Sequence, residues 1–201
     1  SDELYAAMTE VCKNEIVHAL TYSEIVRVSF DNPDSVMEDI LKETEPLQRL
    51  KTVTDSINEA YLISHKYALG EIDNNQETYN AVFMLFCTLL VLERIQFMSS
   101  FAVTFSMADA GMFVPIANAV QKICQDEFEI HCKIDLEVIN NELKTERGMV
   151  AFTQCRDKIQ SMIDEVVESE LVFADWLFSN GRELVGITPE LLKQNALFNA
   201  K

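Results

Sequence analysis

Apolar residues recur along this chain at the three- and four-residue intervals of a helix, and little interrupts them. Only five glycines and four prolines punctuate the sequence, which predicts an all-α protein. The periodicity predicts helices over residues 2–29, 33 or 34–42, 46–69, 76–108, 115–142, 147–178 and 189–198. The breaks between them have physical causes. DNPDS offers Asx-type turns and a proline start, GEIDNNQ is a polar loop, and SNGRELVGITPE joins glycine to a proline suited to a first helical turn. Helices of about 30 residues joined by short loops pack side by side, so the expected architecture is one helix-bundle domain over residues 1–201. Bundles hold their metal and cofactor sites in the core between facing helices.

One position breaks the pattern. Glu93 stands within TLLVLERIQFMSSFAVTF, after a charge-free run from Ala81 to Leu92 and before Phe97, Phe101 and Phe105 at four-residue spacing. A carboxylate among core-seeking groups needs a cation, a hydrogen-bond donor or a metal. The alternatives at this stage are that Glu93 pairs with Arg94, points to water, or ligates.

The histidines bear on that choice, because the chain has only three. In CKNEIVHALTYSE, at about 100° per residue, His18 lies about 300° and Tyr22 about 340° from Glu15, so acid, imidazole and phenol share one face. In KICQDEFEIHCK, Glu127 and His131 are four apart and again share a face. Glutamate and histidine at such spacing is how a helix presents two ligands to one ion, and di-iron bundles use two such pairs with single carboxylates from other helices. Two pairs on two long helices, with Glu93 on a third, point to a di-metal carboxylate site in the core. Carboxylates and imidazoles without thiolate suit iron or manganese. Tyr22, one turn from His18, could give an electron to an oxidised centre. His65 has no acidic neighbour at helical spacing and reads as a surface or packing histidine.

Charge and cysteine content narrow the partners. A formal charge of −17 opposes nucleic acid and anionic membrane surfaces, and no basic patch offsets it. The charge-free run of 81–92 falls short of the roughly 20 residues of a membrane helix, and no signal-peptide pattern opens the chain. Five cysteines, an odd number without a C-x-x-C pair, suit reduced thiols in a cytoplasmic protein.

With these residues in view, the sequence resembles the small, radical-generating subunit of class I ribonucleotide reductase. The likeness runs through NEIVHALTYSEIVR, DNPDSVMEDIL, LERIQFMSSFAVTF, ICQDE and FADWLFSNGRELVGITPELL, in the family's order. It implies a ferritin-like helix bundle with two iron ions, or manganese or a mixed pair. Glu15 and His18 would ligate one ion, with Glu93, Glu127 and His131 around the second. It implies Tyr22 as the radical site, with Phe97, Phe101 and Ile123 as its apolar pocket. Asp126 would join the first metal histidine to the radical-transfer path. Partners would be a second copy, in a homodimer, and a large catalytic subunit that makes deoxyribonucleotides. Other readings are a different di-metal carboxylate oxidase on the same bundle, and a non-catalytic helical interaction protein descended from this family.

Three departures are visible. QDEFEIH has one residue more between glutamate and histidine than the family's Glu-x-x-His, and a wide π turn near 128–130 is expected to absorb it. The family's further aspartate ligand on a preceding helix, and the tryptophan near it, have no counterpart before Glu15, and the C-terminal docking tail has none after Lys201. The expectation is a partial chain from the middle of such a subunit.

Overall fold

A computed structural model describes residues 1–201, and they fold as helices without a strand. In chain order these are α1 (Asp2–Ser29), α2 (Pro33–Ile40), α3 (Thr44–Arg49), α4 (Lys51–Ala68), α5 (Gln76–Val91), α6 (Phe97–Asp109), α7 (Val114–Gln125), α8 (Cys132–Glu142), α9 (Glu146–Leu177) and α10 (Pro189–Asn199). α5 continues into α6 through a π turn, Leu92–Gln96, and α7 into α8 through another, Asp126–His131. The second is the wide turn that the surplus residue predicts. The first leaves no trace in the spacing of apolar residues.

Helix starts follow local chemistry. Ser1, Asn32, Asn75, Thr145 and Thr188 each accept a hydrogen bond from a first-turn N–H, each such cap stabilising by about 1 kcal/mol. Gly148 lets α9 begin against the end of α8, since a β-carbon there would collide with the Glu142 carbonyl oxygen.

The helix expected over 46–69 is instead two, separated at Leu50. No glycine or proline causes this break. Gln96 donates through Nε2 to the Arg49 carbonyl at 2.6 Å, so that carbonyl is used across the bundle. The Arg49 guanidinium turns inward at the same point, donating to the Gln96 carbonyl, to Ser100 Oγ at 3.0 Å and to both carboxylate oxygens of Glu170. Long-range polar contacts thus interrupt a helix that its own sequence would continue.

α5 is the centre of the bundle, packed on α4, α8 and α9. Phe83, Met84, Cys87 and Val91 of α5 meet Val53 of α4 and Ala151, Cys155, Met162 and Val166 of α9. Thr88, fully buried among them, donates to the Met84 carbonyl and shares a hydrogen bond with Ser56. By length and composition alone the rod Gln76–Asp109 could cross a membrane. Its place in the core accounts for its apolarity, and Glu93 and Arg94 lie at its middle. α1 packs on α2 and α7, and among its 28 residues His18 alone is buried. This is the all-α, ferritin-like bundle that the resemblance implies.

All five cysteines are free thiols. Burial, with smaller contributions from Cys155 and Asp135, pushes the Cys87 thiol up to about 12, so it carries its proton throughout the neutral range. Alkylation by iodoacetamide at pH 8 is expected to label exposed Cys12 first, with Cys87 and Cys155 reacting only on unfolding. Peptide mapping by mass spectrometry checks this, and early labelling of Cys87 would contradict its burial.

Candidate metal centre

The two π turns pack against each other, and each aims a carboxylate inward. In a π turn the N–H bonds five residues back: Phe97 N–H to the Leu92 carbonyl, and Cys132 N–H to the Glu127 carbonyl. Glu127 and His131, four residues apart across the second turn, face the same side, with His131 Nδ1 2.7 Å from Glu127 Oε2. Glu93, Glu127 and His131 are all at least 96% buried. Arg94 does not pair with Glu93; its guanidinium lies over the Phe128 ring, 4.5 Å from the centroid.

α1 brings the remaining groups from the other side. His18 Nδ1 lies 3.2 Å from Glu127 Oε1 and 3.8 Å from Glu15 Oε1. His131 Nδ1 lies 2.7 Å from Glu127 Oε2, 3.4 Å from Glu15 Oε1 and 3.6 Å from Glu93 Oε1. The five residues singled out in the sequence therefore converge, with Glu127 spanning the two imidazoles, whose centroids are 5.8 Å apart. Single ligand atoms of Glu15, Glu127 and His131 all lie within 4.8 Å of one another, close enough to share one ion.

Each imidazole turns Nδ1 toward the carboxylates and is held from behind through Nε2. Asp126 Oδ2 is 3.1 Å from His18 Nε2, and Asn14 Nδ2 is 3.5 Å from His131 Nε2. Such outer contacts set the heading of a ligating histidine. Asp126 thus touches the histidine that the resemblance pairs it with.

The buried atoms left without a hydrogen-bond partner include His18 Nδ1, His131 Nδ1, Glu93 Oε2, Glu127 Oε2 and Asp135 Oδ2. These five of the seven such atoms come from this one cluster; the other two are Gln96 Oε1 and Ser99 Oγ. Buried carboxylates at this density repel, and the protonation states register it. Burial raises Glu93, with His131 opposing and Glu127 adding to the shift. On His131, burial pulls downward but the Glu127 and Glu93 carboxylates prevail and hold it up at about 10. Burial, then the Glu93 charge, raises Asp135 well above the usual carboxyl range. The donor set is nitrogen and oxygen without thiolate, and a divalent iron or manganese ion fits it.

Tyr22 departs from expectation. The reading from sequence places it out of water, yet it is 44% exposed. Helical phase explains this: α1 turns His18 and Ile25, at about 300° and 280°, inward, while Tyr22 and Glu15 lie 40–60° further round, by about 100° per residue, on its open flank. The phenol still stands near the cluster, because burial, then Glu127, Cys124 and Glu15, push its pKa up to about 12. Phe101 and Ile123 are buried together with Val120, and Phe97 packs on them, so the expected apolar group does form. His65 is exposed and packs with its ring tilted on Tyr61, one turn back on α4.

Two residues at the centre escape a reading of the sequence. Asn14 is a polar residue beside Glu15 with nothing to mark it. Asp135 sits in KIDLEVINNE, which reads as a solvated helix face, although its four-residue step from His131 was available as a signal.

Comparison with known proteins agrees with this geometry. The family model described as "Ribonucleotide reductase, small chain" matches residues 1–201. Among curated relatives, the ribonucleoside-diphosphate reductase subunit beta of Buchnera aphidicola subsp. Schizaphis graminum is 25% identical over 195 residues, covering 90% of this chain and 51% of that protein. The subunit of the same name from Haemophilus influenzae is 23% identical over 196 residues, with the same two coverages, 90% and 51%. Ribonucleoside-diphosphate reductase 1 subunit beta of Salmonella typhimurium is 22% identical over 195 residues, again covering 90% and 51%. The chain spans about half the length of the curated relatives it matches. A match along every residue, together with a carboxylate and histidine cluster at its centre, leads to one conclusion: the chain belongs to the ribonucleotide reductase small-chain family.

Proposed function

We propose that the chain is the metal-binding core of a radical-generating subunit that serves a ribonucleoside-diphosphate reductase. One observation carries this reading: buried, unpartnered atoms of His18, His131, Glu93 and Glu127 point at one another, with Tyr22 one turn from His18. Glu15 and His18 would hold one ion, and Glu93, Glu127 and His131 the second. Two iron ions, or manganese in one or both places, would supply oxygen-dependent one-electron oxidation. The protein's part is to hold and orient the ligands. Glu127 joins the two halves, Asp126 and Asn14 fix the imidazole headings, and Phe101 with Ile123 walls one side. Tyr22 would be the residue oxidised, giving up an electron and its phenolic proton. Asp126, on the far nitrogen of His18 at 3.1 Å, would open the path by which a large subunit draws on that oxidation. The large subunit, a homodimeric assembly and a cytoplasmic setting belong to the proposal. Ile16, Val17 and Leu20, exposed apolar residues on the outer face of α1, support a partner there.

The 44% exposure of Tyr22 favours a second reading, a di-metal oxidase acting on a small molecule. Oxygen added to the complete protein, reduced and loaded with Fe(II) or Mn(II), decides between them. A tyrosyl signal by electron paramagnetic resonance is expected, and Tyr22→Phe is expected to abolish it. A signal unchanged in the variant would move the radical elsewhere. No signal, with oxygen consumed equally by both proteins, would favour the second reading.

A further inference from the structure

A π turn is a rare departure from the regular helical ladder, and such departures persist where the surrounding structure holds them. The first wide turn, Leu92–Gln96, closes on Gln96, which has no exposed surface. Gln96 is tied to Arg49 twice. Its side chain donates through Nε2 to the Arg49 carbonyl at 2.6 Å, and its own carbonyl accepts from Arg49 Nη2. Each residue thus pins the other's backbone with its side chain. The guanidinium is itself fixed from α9, where the Glu170 carboxylate accepts from both Nε and Nη2 and the Phe173 ring centroid lies 4.1 Å away. Gln96 Oε1 is left without a partner. A buried amide that is only half satisfied carries a cost that an apolar side chain of the same length would avoid, but such a side chain could not hold the Arg49 carbonyl.

Glu93 belongs to the same turn, three residues before Gln96, and the turn packs on α9 and on the second π turn. Glu93 Oε1 lies 3.6 Å from His131 Nδ1. Closing the turn to regular winding, with α6 held in place, would rotate Glu93 about the rod and away from His131. We propose that Arg49 and Gln96 are positioning residues for the metal centre: their reciprocal hydrogen bonds hold the first wide turn open and so aim Glu93 at the ion it would share with Glu127 and His131. The proposal rests on the di-metal reading above and adds a device outside the ligand cluster. The competing account is a lock that serves stability alone.

Anaerobic calorimetric titration of the complete protein with Mn(II) separates the two. Wild type is expected to take two ions per chain. Gln96→Met keeps the length of the side chain and removes the Nε2 donor. It is expected to weaken one ion about 10-fold, the lower end of what losing an outer partner costs, and to leave the other as in wild type. Arg49→Met with Glu170→Leu removes the other half of the lock together with its buried ion pair. It should show the same selective loss although its Tm stays near that of wild type, because apolar replacement of a whole buried pair is close to neutral. Thr88→Val removes a buried hydrogen bond to Ser56 elsewhere on the same rod; it is the control for lost stability and should bind both ions as wild type does. Both ions bound as in wild type in either lock variant would overturn the proposal, and so would both ions weakened alike. If wild type takes up none, the di-metal reading fails and this proposal with it. Gln96→Leu takes the place of Gln96→Met should that variant not fold.

Discussion

Arg49→Met is expected to cost about 3–5 kcal/mol of folding free energy, the cost of leaving a partner charge buried and alone. That partner is Glu170, whose side chain has no exposed surface, and Arg49 is the cation that meets it. Burial raises the Glu170 pKa and Arg49 opposes that rise, so in the variant Glu170 would fold protonated or not fold. The Gln96 carbonyl and Ser100 lose a donor at the same stroke, and the guanidinium that stacks on Phe173 at 4.1 Å is gone. Urea denaturation measures the effect. The paired change Arg49→Met with Glu170→Leu should recover most of the loss, since apolar replacement of a whole buried pair is close to neutral. A single variant that costs less than about 1 kcal/mol, the level of an exposed pair, would show that the pair is not buried as described.

Glu127→Ala should have the largest effect on metal. Its two oxygens reach both imidazoles, Oε1 to His18 at 3.2 Å and Oε2 to His131 at 2.7 Å. Removing it takes a ligand from one proposed ion and the carboxylate that faces both imidazoles, and Mn(II) affinity is expected to fall at least about 100-fold, or about 2.7 kcal/mol. Glu129→Ala is the control two residues away, where the side chain pairs with Lys133 at the surface; it should bind as wild type does. Equal, undiminished binding in both variants would remove Glu127 from the centre. In a pH titration of the metal-free protein, the His131 pKa should fall in Glu127→Ala, because Glu127, with Glu93, holds it up.

What could be read in advance divides by the range of the forces involved. Helix type and most helix ends follow from neighbours in the chain: periodicity, caps such as Asn75 and Thr145, and prolines at first turns. Glu93 stood out because its apolar surroundings are sequential, and His18 because a straight helix fixes its phase against Glu15. The surplus residue in QDEFEIH, counted against the Glu-x-x-His of the family that the sequence resembles, could be converted into a wide turn. The Leu50 break could not, since it depends on Gln96 and Glu170 arriving from other helices. Nor could the exposure of Tyr22, which depends on how far α1 is rolled against α7. Asp135 was hidden by its neighbours: Lys133 and Glu137 are exposed, and only the depth of α8 against α5 distinguishes it from them.

The wide turns play the part that a dislocation plays in a crystal. Each inserts extra length at one point and leaves the lattice on either side in order. Upstream and downstream of Leu92–Gln96 the rod keeps its ordinary ladder, and so does the rod that carries Asp126–His131. Residues at the defect are thereby released from the heading that regular winding would impose, while those a turn away keep their packing partners. The bundle can therefore be tuned at its centre without being rebuilt at its ends. A substitution or insertion within either defect re-aims a ligand, whereas the same change two turns away would shear a packed interface.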